Sequence, residues 1–145
     1  MRFFFLLLTL LAGCATPPGP ESTPEPKPEP APPVVAPPAK ENIAVAGLMD
    51  SARAEAAAGN LAGAAASLER ALRIEPRNPR LWHELARVRL KQGQHSQAES
   101  VAARSNSWAG DDKALRAENW RLIAQSREAR GDTEGAKAAL ESANR

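Results

Sequence analysis

Three short segments of this chain repeat one pattern, and that repetition limits its fold more than any other feature. They are Gly59-Asn60-Leu61-Ala62-Gly63-Ala64, Gly93-Gln94-His95-Ser96-Gln97-Ala98 and Gly131-Asp132-Thr133-Glu134-Gly135-Ala136. Each places a glycine five residues before an alanine, and eleven residues before each glycine stands a large apolar side chain, Leu48, Trp82 or Trp120. The first two segments lie 34 residues apart, the second and third 38. A glycine so placed ends a helix, because it takes a left-handed cap without strain. The alanine after it lets a second helix approach the first closely. The repeating unit is therefore a helix pair. One pair is amphipathic and cannot bury its apolar face alone, so successive pairs must stack.

Residue usage points the same way. Residues 42–145 are dominated by alanine, leucine and arginine, and tyrosine is absent. Helix formers with few β-branched residues specify an all-α fold, and the length is that of one domain. The pattern predicts helices over 44–58, 61–74, 79–92, 95–106, 112–130 and 133–143. Pro76 closes the first repeat, and Pro79 sits in the first turn of the next helix, where proline is favoured. The four extra residues of the second interval fall near Ser105 to Asp112. They read as a longer linker, or as an added turn starting the next helix with Asp111 as its cap.

The spacing resembles the tetratricopeptide repeat, with its W-x₂-L-G-x₂-Y, A-x₃-F and P positions. Trp82-His83-Glu84-Leu85-Ala86 fits the opening with alanine in place of glycine, and Trp120, Ile123 and Ala124 repeat the match. Leu48, Ser51 and Ala52 fit it weakly. Ala64 with Leu68 and Ala136 with Leu140 fit the later pair, while Ala98 with Ala102 fits only by its small residue. The resemblance covers about 100 of 145 residues and implies a short solenoid of three helix-turn-helix repeats. Its structural core would include Leu48, Gly59, Ala64, Trp82, Leu85, Gly93, Ala98, Trp120, Gly131 and Ala136. The chain departs from the family at the tyrosine positions, which are Glu55, Arg89 and Arg127, so the usual aromatic packing is missing. Trp108 lies outside the pattern, either packed between repeats or exposed as an anchor.

Arrays of this family grip protein partners on a concave face lined by the first helix of each pair. By alignment the inward positions are Met49, Arg53 and Ala57, then Arg80, His83, Arg87 and Lys91, then Arg121, Gln125 and Glu128. Arg80, His83, Arg87 and Lys91 recur at spacings of three and four and so share one helix face. Together with Arg53 and Arg121 they form the candidate site. A basic stripe of this kind suits an acidic or carboxylate-bearing segment; otherwise it is a solvated helix face. The asparagines of the carboxylate-clamp subgroup are absent, so capture of a peptide C-terminus is not implied.

The first residues read MRFFFLLLTLLAGC. Arg2 is a short positive region, and Phe3 to Leu11 is an apolar run with the length of a signal-peptide core, too short to span a bilayer. Leu11-Ala12-Gly13-Cys14 matches the bacterial lipobox. The match implies cleavage after residue 13 and lipidation of Cys14, whose acyl chains anchor at about 0.8 kcal/mol per buried CH₂. Ala15 follows in place of aspartate, which by the same resemblance sends the protein to the inner leaflet of the outer membrane, with its domain in the periplasm. Residues 14–41 then carry eleven of thirteen prolines. Such a run lacks backbone donors and disfavours helix, so it is expected to be a disordered tether of polyproline II character.

No catalytic set is present. His83-Glu84-Leu85-Ala86-Arg87 is a near miss for a zinc-protease motif, with arginine where the second ligand belongs. His95 reads as a solvated residue in a helix turn. One cysteine and two histidines leave little for a metal, and no cofactor or small-molecule substrate is expected. A net charge of +2 gives no footprint for nucleic acid. The expectation is a binding module and not an enzyme. The order of lipobox, proline tether and short repeat domain resembles the outer-membrane lipoprotein activators of bifunctional (class A) penicillin-binding proteins found in pseudomonads. That resemblance implies a domain that binds an inner-membrane peptidoglycan synthase and regulates cell-wall synthesis. The alternative is a scaffold or pilotin-like lipoprotein for assembly of an outer-membrane complex.

Overall fold

The computed structural model describes residues 42–145. The signal segment, Cys14 and the proline-rich stretch lie outside the described residues. Six helices follow one another: α1 (Ile43–Ala57), α2 (Leu61–Ile74), α3 (Pro79–Lys91), α4 (His95–Trp108), α5 (Lys113–Glu128) and α6 (Thr133–Ala143). No strand occurs among the described residues. Each helix packs on its neighbours in the chain, most closely on the other helix of its own pair, and α3 also meets α5. The result is three helical hairpins stacked in sequence.

The helix ends follow from short polar side chains and glycines. Asn42, Asn60, Asn78, Asp112 and Asp132 each accept a backbone N–H of the following turn through the side chain. This satisfies one donor that a helix start leaves unpaired. Gln94 makes no such bond. At the other end of α1, α3 and α5, Gly59, Gly93 and Gly131 take φ of 80°, 73° and 81°. That conformation turns the next residue back onto the helix. Asn60, Gln94 and Asp132 donate their N–H groups to the carbonyls of Glu55, Arg89 and Arg127 at 2.8, 2.9 and 3.0 Å, the six-to-one bond of a Schellman cap.

The four extra residues form an added first turn of α5. This helix begins 34 residues after α3 begins, yet Trp120 lies seven residues inside α5 whereas Trp82 lies three inside α3. Its cap is Asp112, which accepts from the Leu115 N–H at 3.0 Å, not Asp111. Gly110 makes the preceding turn at φ 52°.

Two apolar clusters hold the stack. The first joins Ala52, Ala64, Leu68 and Ala71 of the first hairpin to Leu81, Leu85 and Val88 of α3. The second joins Ala86 and Ala102 to Ile123, Ala124, Ala136 and Ala139. Leu48, Trp82 and Trp120 are only half buried and pack against these clusters from outside. Trp82 uses its amphipathic ring there, donating Nε1–H to the Pro76 carbonyl at 2.8 Å under the Arg104 guanidinium. Trp108 is 38 % exposed at the end of α4, with the Arg77 guanidinium 5.2 Å from its ring centroid. His95 is half buried, and its Nδ1 is shielded from water with no hydrogen-bond partner. The expectation of a solvated side chain is corrected there.

Polar bridges occupy the missing aromatic positions. Glu55 accepts from Ser67 Oγ at 3.0 Å across α1 and α2. Arg89 of α3 reaches back to Glu69 of α2 and forward to Gln94. Arg127 of α5 binds Glu99 of α4 at 2.7 Å and the Gly135 carbonyl of α6 at 3.1 Å. Glu55 thus ties the two helices of its own hairpin, while Arg89 and Arg127 also reach the preceding hairpin.

Candidate functional site

Helices α1 and α3 wall the groove that best fits the expected partner face. Met49 and Ala52 form part of an apolar floor with Leu68 and Val88, and Arg53, Arg87 and Lys91 stand around it. The space is about 160 Å³, comparable to cavities that hold one benzene-sized group. A space of that size has room for one side chain and not for a folded element. Arg53 pairs with Asp50 at 3.3 Å and Arg87 with Glu84 at 3.2 Å, each within its own helix. Lys91 is exposed and makes no ion pair among the described residues.

The six residues expected to form the candidate site do not all meet. Arg53, Arg87 and Lys91 converge on this groove. Arg80 lies at the start of α3, with Asp112 at 3.7 Å. Arg121 belongs to a separate groove with Gln125, Glu128 and Leu140. His83 is corrected most strongly. It is 8 % exposed, not on an open face, and its Nδ1 stands 2.8 Å from Asn119 Oδ1 on α5. Asn119 Nδ2 donates to Ser105 Oγ at 2.7 Å and to Asn106 Oδ1 at 2.9 Å. With that amide nitrogen committed, Asn119 Oδ1 accepts and His83 Nδ1–H donates. Ser105 in turn donates to the Pro79 carbonyl at 2.8 Å. His83 thus joins repeats internally, through a network whose members lie on three helices. Spacing along α3 suggested a face, but the added turn brings α5 over that part of it.

Sequence reasoning missed Glu84. It lies in the groove, and its carboxylate neutralises Arg87, so the rim is less basic than the count of cations implies. Its three-residue separation from Arg87 was the available signal. No group of three or more His, Cys, Asp or Glu side chains that could hold a metal occurs among the described residues. No described helix is long and apolar enough to cross a membrane.

A tetratricopeptide repeat family model matches residues 55–125. The globular C-terminal domain of P. aeruginosa LpoP superimposes with a TM-score of 0.71 at 45 % identity, over 73 % of this chain and all of that one. The chain belongs to the LpoP family. Its described part, 104 of 145 residues, corresponds in size to the separately solved LpoP domain. A search of curated proteins gives no match. Family membership and the repeat fold support a protein-interaction role for this domain.

Proposed function

We propose that this protein is an outer-membrane lipoprotein, anchored through Cys14, whose repeat domain binds and activates an inner-membrane bifunctional penicillin-binding protein. The observation that carries the reading is the 45 % identity to the LpoP C-terminal domain over its whole length. The lipobox ending at Cys14 and the proline-rich stretch that follows support it, because they suit a domain held away from its anchor. The partner would present an apolar side chain to Met49 and Ala56, beside an acidic group for Lys91 and Arg53. Residues 1–13 would be removed, 14–41 would serve as the tether, and 42–145 would act.

The test is to add residues 42–145 to a purified bifunctional synthase with its lipid-linked substrate and follow glycan polymerisation and crosslinking. Stimulation is expected. Arg87→Glu with Lys91→Glu should cut it about tenfold, the effect of roughly 1.4 kcal/mol at one contact, with the unfolding midpoint little changed. No stimulation together with no binding would sink the activator reading and leave the assembly-scaffold alternative.

A further inference from the structure

The internal repeat shows what is missing at the third hairpin. Adding 72 to a residue number of the first hairpin gives its counterpart in the third, because the two intervals are 34 and 38 residues. Met49 thus corresponds to Arg121, Arg53 to Gln125 and Leu68 to Leu140. The groove holding Arg121, Gln125 and Leu140 is the same groove that holds Met49, Arg53 and Leu68, repeated two hairpins later. One wall differs. In the first hairpin that wall is α3, which lays Leu81, Leu85 and Val88 over Leu68 and leaves it 1 % exposed. Over the third hairpin no described helix takes that place, and Leu140 is 49 % exposed.

We propose that this open seat on α5 and α6 takes an amphipathic helix of another protein, bound as α3 is bound on α1 and α2. The occupant's chemistry can be read from α3 and from the seat. Its apolar side chains fall at i, i+4 and i+7, as do Leu81, Leu85 and Val88. The seat also carries two charges, Arg121 and Glu128, two helical turns apart on α5, and neither forms an ion pair among the described residues. A helix running parallel to α5 matches them with an acidic residue at i+3 and a basic one at i+10. These are the positions of Glu84 and Lys91 in α3. A second copy stacking head to tail fits poorly. Its α1 would present Gly47, Ser51 and Ala54 where α3 presents Leu81, Leu85 and Val88, too little apolar area for a stable contact. The proline-rich stretch of this chain cannot supply the helix either. This is helix-in-groove recognition, at a surface separate from the Arg53–Lys91 groove and independent of the synthase reading.

The test uses residues 42–145 and a fluorescent synthetic peptide of residues 78–92, the α3 sequence, followed by anisotropy. Saturable binding is expected. Leu140→Glu alters a half-exposed side chain, so the domain should stay folded by circular dichroism while affinity falls about tenfold or more, the loss of one buried apolar contact. Arg87→Glu should leave peptide affinity unchanged. Arg121→Glu should weaken binding, and a peptide with lysine at the Glu84 position should restore it. Absence of binding, equal binding to the Leu140→Glu variant, or failure of the charge exchange would each overturn the proposal. So would concentration-dependent dimerisation abolished by Leu140→Glu, which would make the occupant a second copy.

Discussion

Asn119 links the second hairpin to the third. Its side chain is wholly buried and bonded to His83, Ser105 and Asn106. Replacing it with leucine would leave the His83 Nδ1–H and the Asn106 side-chain oxygen Oδ1 without their partner. Each buried group left unpaired costs about 1–3 kcal/mol, so Asn119→Leu should destabilise by about 3 kcal/mol in urea unfolding. A loss under about 0.5 kcal/mol would show that water reaches these groups. Gly93 makes a smaller prediction with a cleaner cause. No atom lies within 4 Å of a Cβ added there, so Gly93→Ala is resisted only by its φ of 73°. The expected cost is about 1 kcal/mol, read from the denaturant midpoint. The two residues differ in how visible they are in the sequence. Gly93 is legible because the six-residue pattern recurs three times. Asn119 is not, because its partner His83 is 36 residues away and nothing local distinguishes it from a solvated helix polar. The same blindness put His83 on the surface.

At the scale of elements, the helices were readable almost to the residue, since caps and glycine stops are local chemistry. The added turn was readable as an insertion but not as a position. Asp111 and Asp112 are equivalent as candidate caps, and only the packing of Trp120 on the second cluster selects the register. The substitutions at the tyrosine positions were visible as departures, while their cross-helix partners, a serine hydroxyl for Glu55 and carboxylates for Arg89 and Arg127, were not. Arg127, 29 % exposed, ties α5 to Glu99 of α4, 21 % exposed, and to the Gly135 carbonyl of α6; Arg130 shares the same carboxylate. A pair this sheltered should contribute more than a surface pair, whose usual worth is about 0–1 kcal/mol. Arg127→Ala should therefore cost about 2 kcal/mol, and a cycle with Glu99→Ala should give a coupling near 1 kcal/mol. Raising the salt concentration should reduce that coupling only slightly, because both groups are partly out of solvent. A coupling of zero would mean that Arg127 acts through Gly135 alone.

For the whole molecule, the proposed activity requires two things that the sequence separates: a domain that contacts the synthase and a spacer that lets it arrive. Residues 15–41, if fully extended at about 3.1 Å per residue, reach roughly 80 Å. If reach is what the prolines contribute, then their order and flanking residues matter little and their number matters a great deal. Deleting about half of the stretch would remove some 40 Å of reach while leaving residues 42–145 untouched. Such a chain should fail to support growth of cells that depend on the activated synthase. Its soluble domain should still stimulate the enzyme in solution to the full extent. Replacing the deleted half with an unrelated proline-rich sequence of equal length should restore growth. A scaffold working beside its own membrane predicts the opposite, survival of the shortened chain, so measuring growth and stimulation on the same variants separates the two. Full growth with the short tether would remove distance from the function, and with it the physical reason for joining this domain to so many prolines.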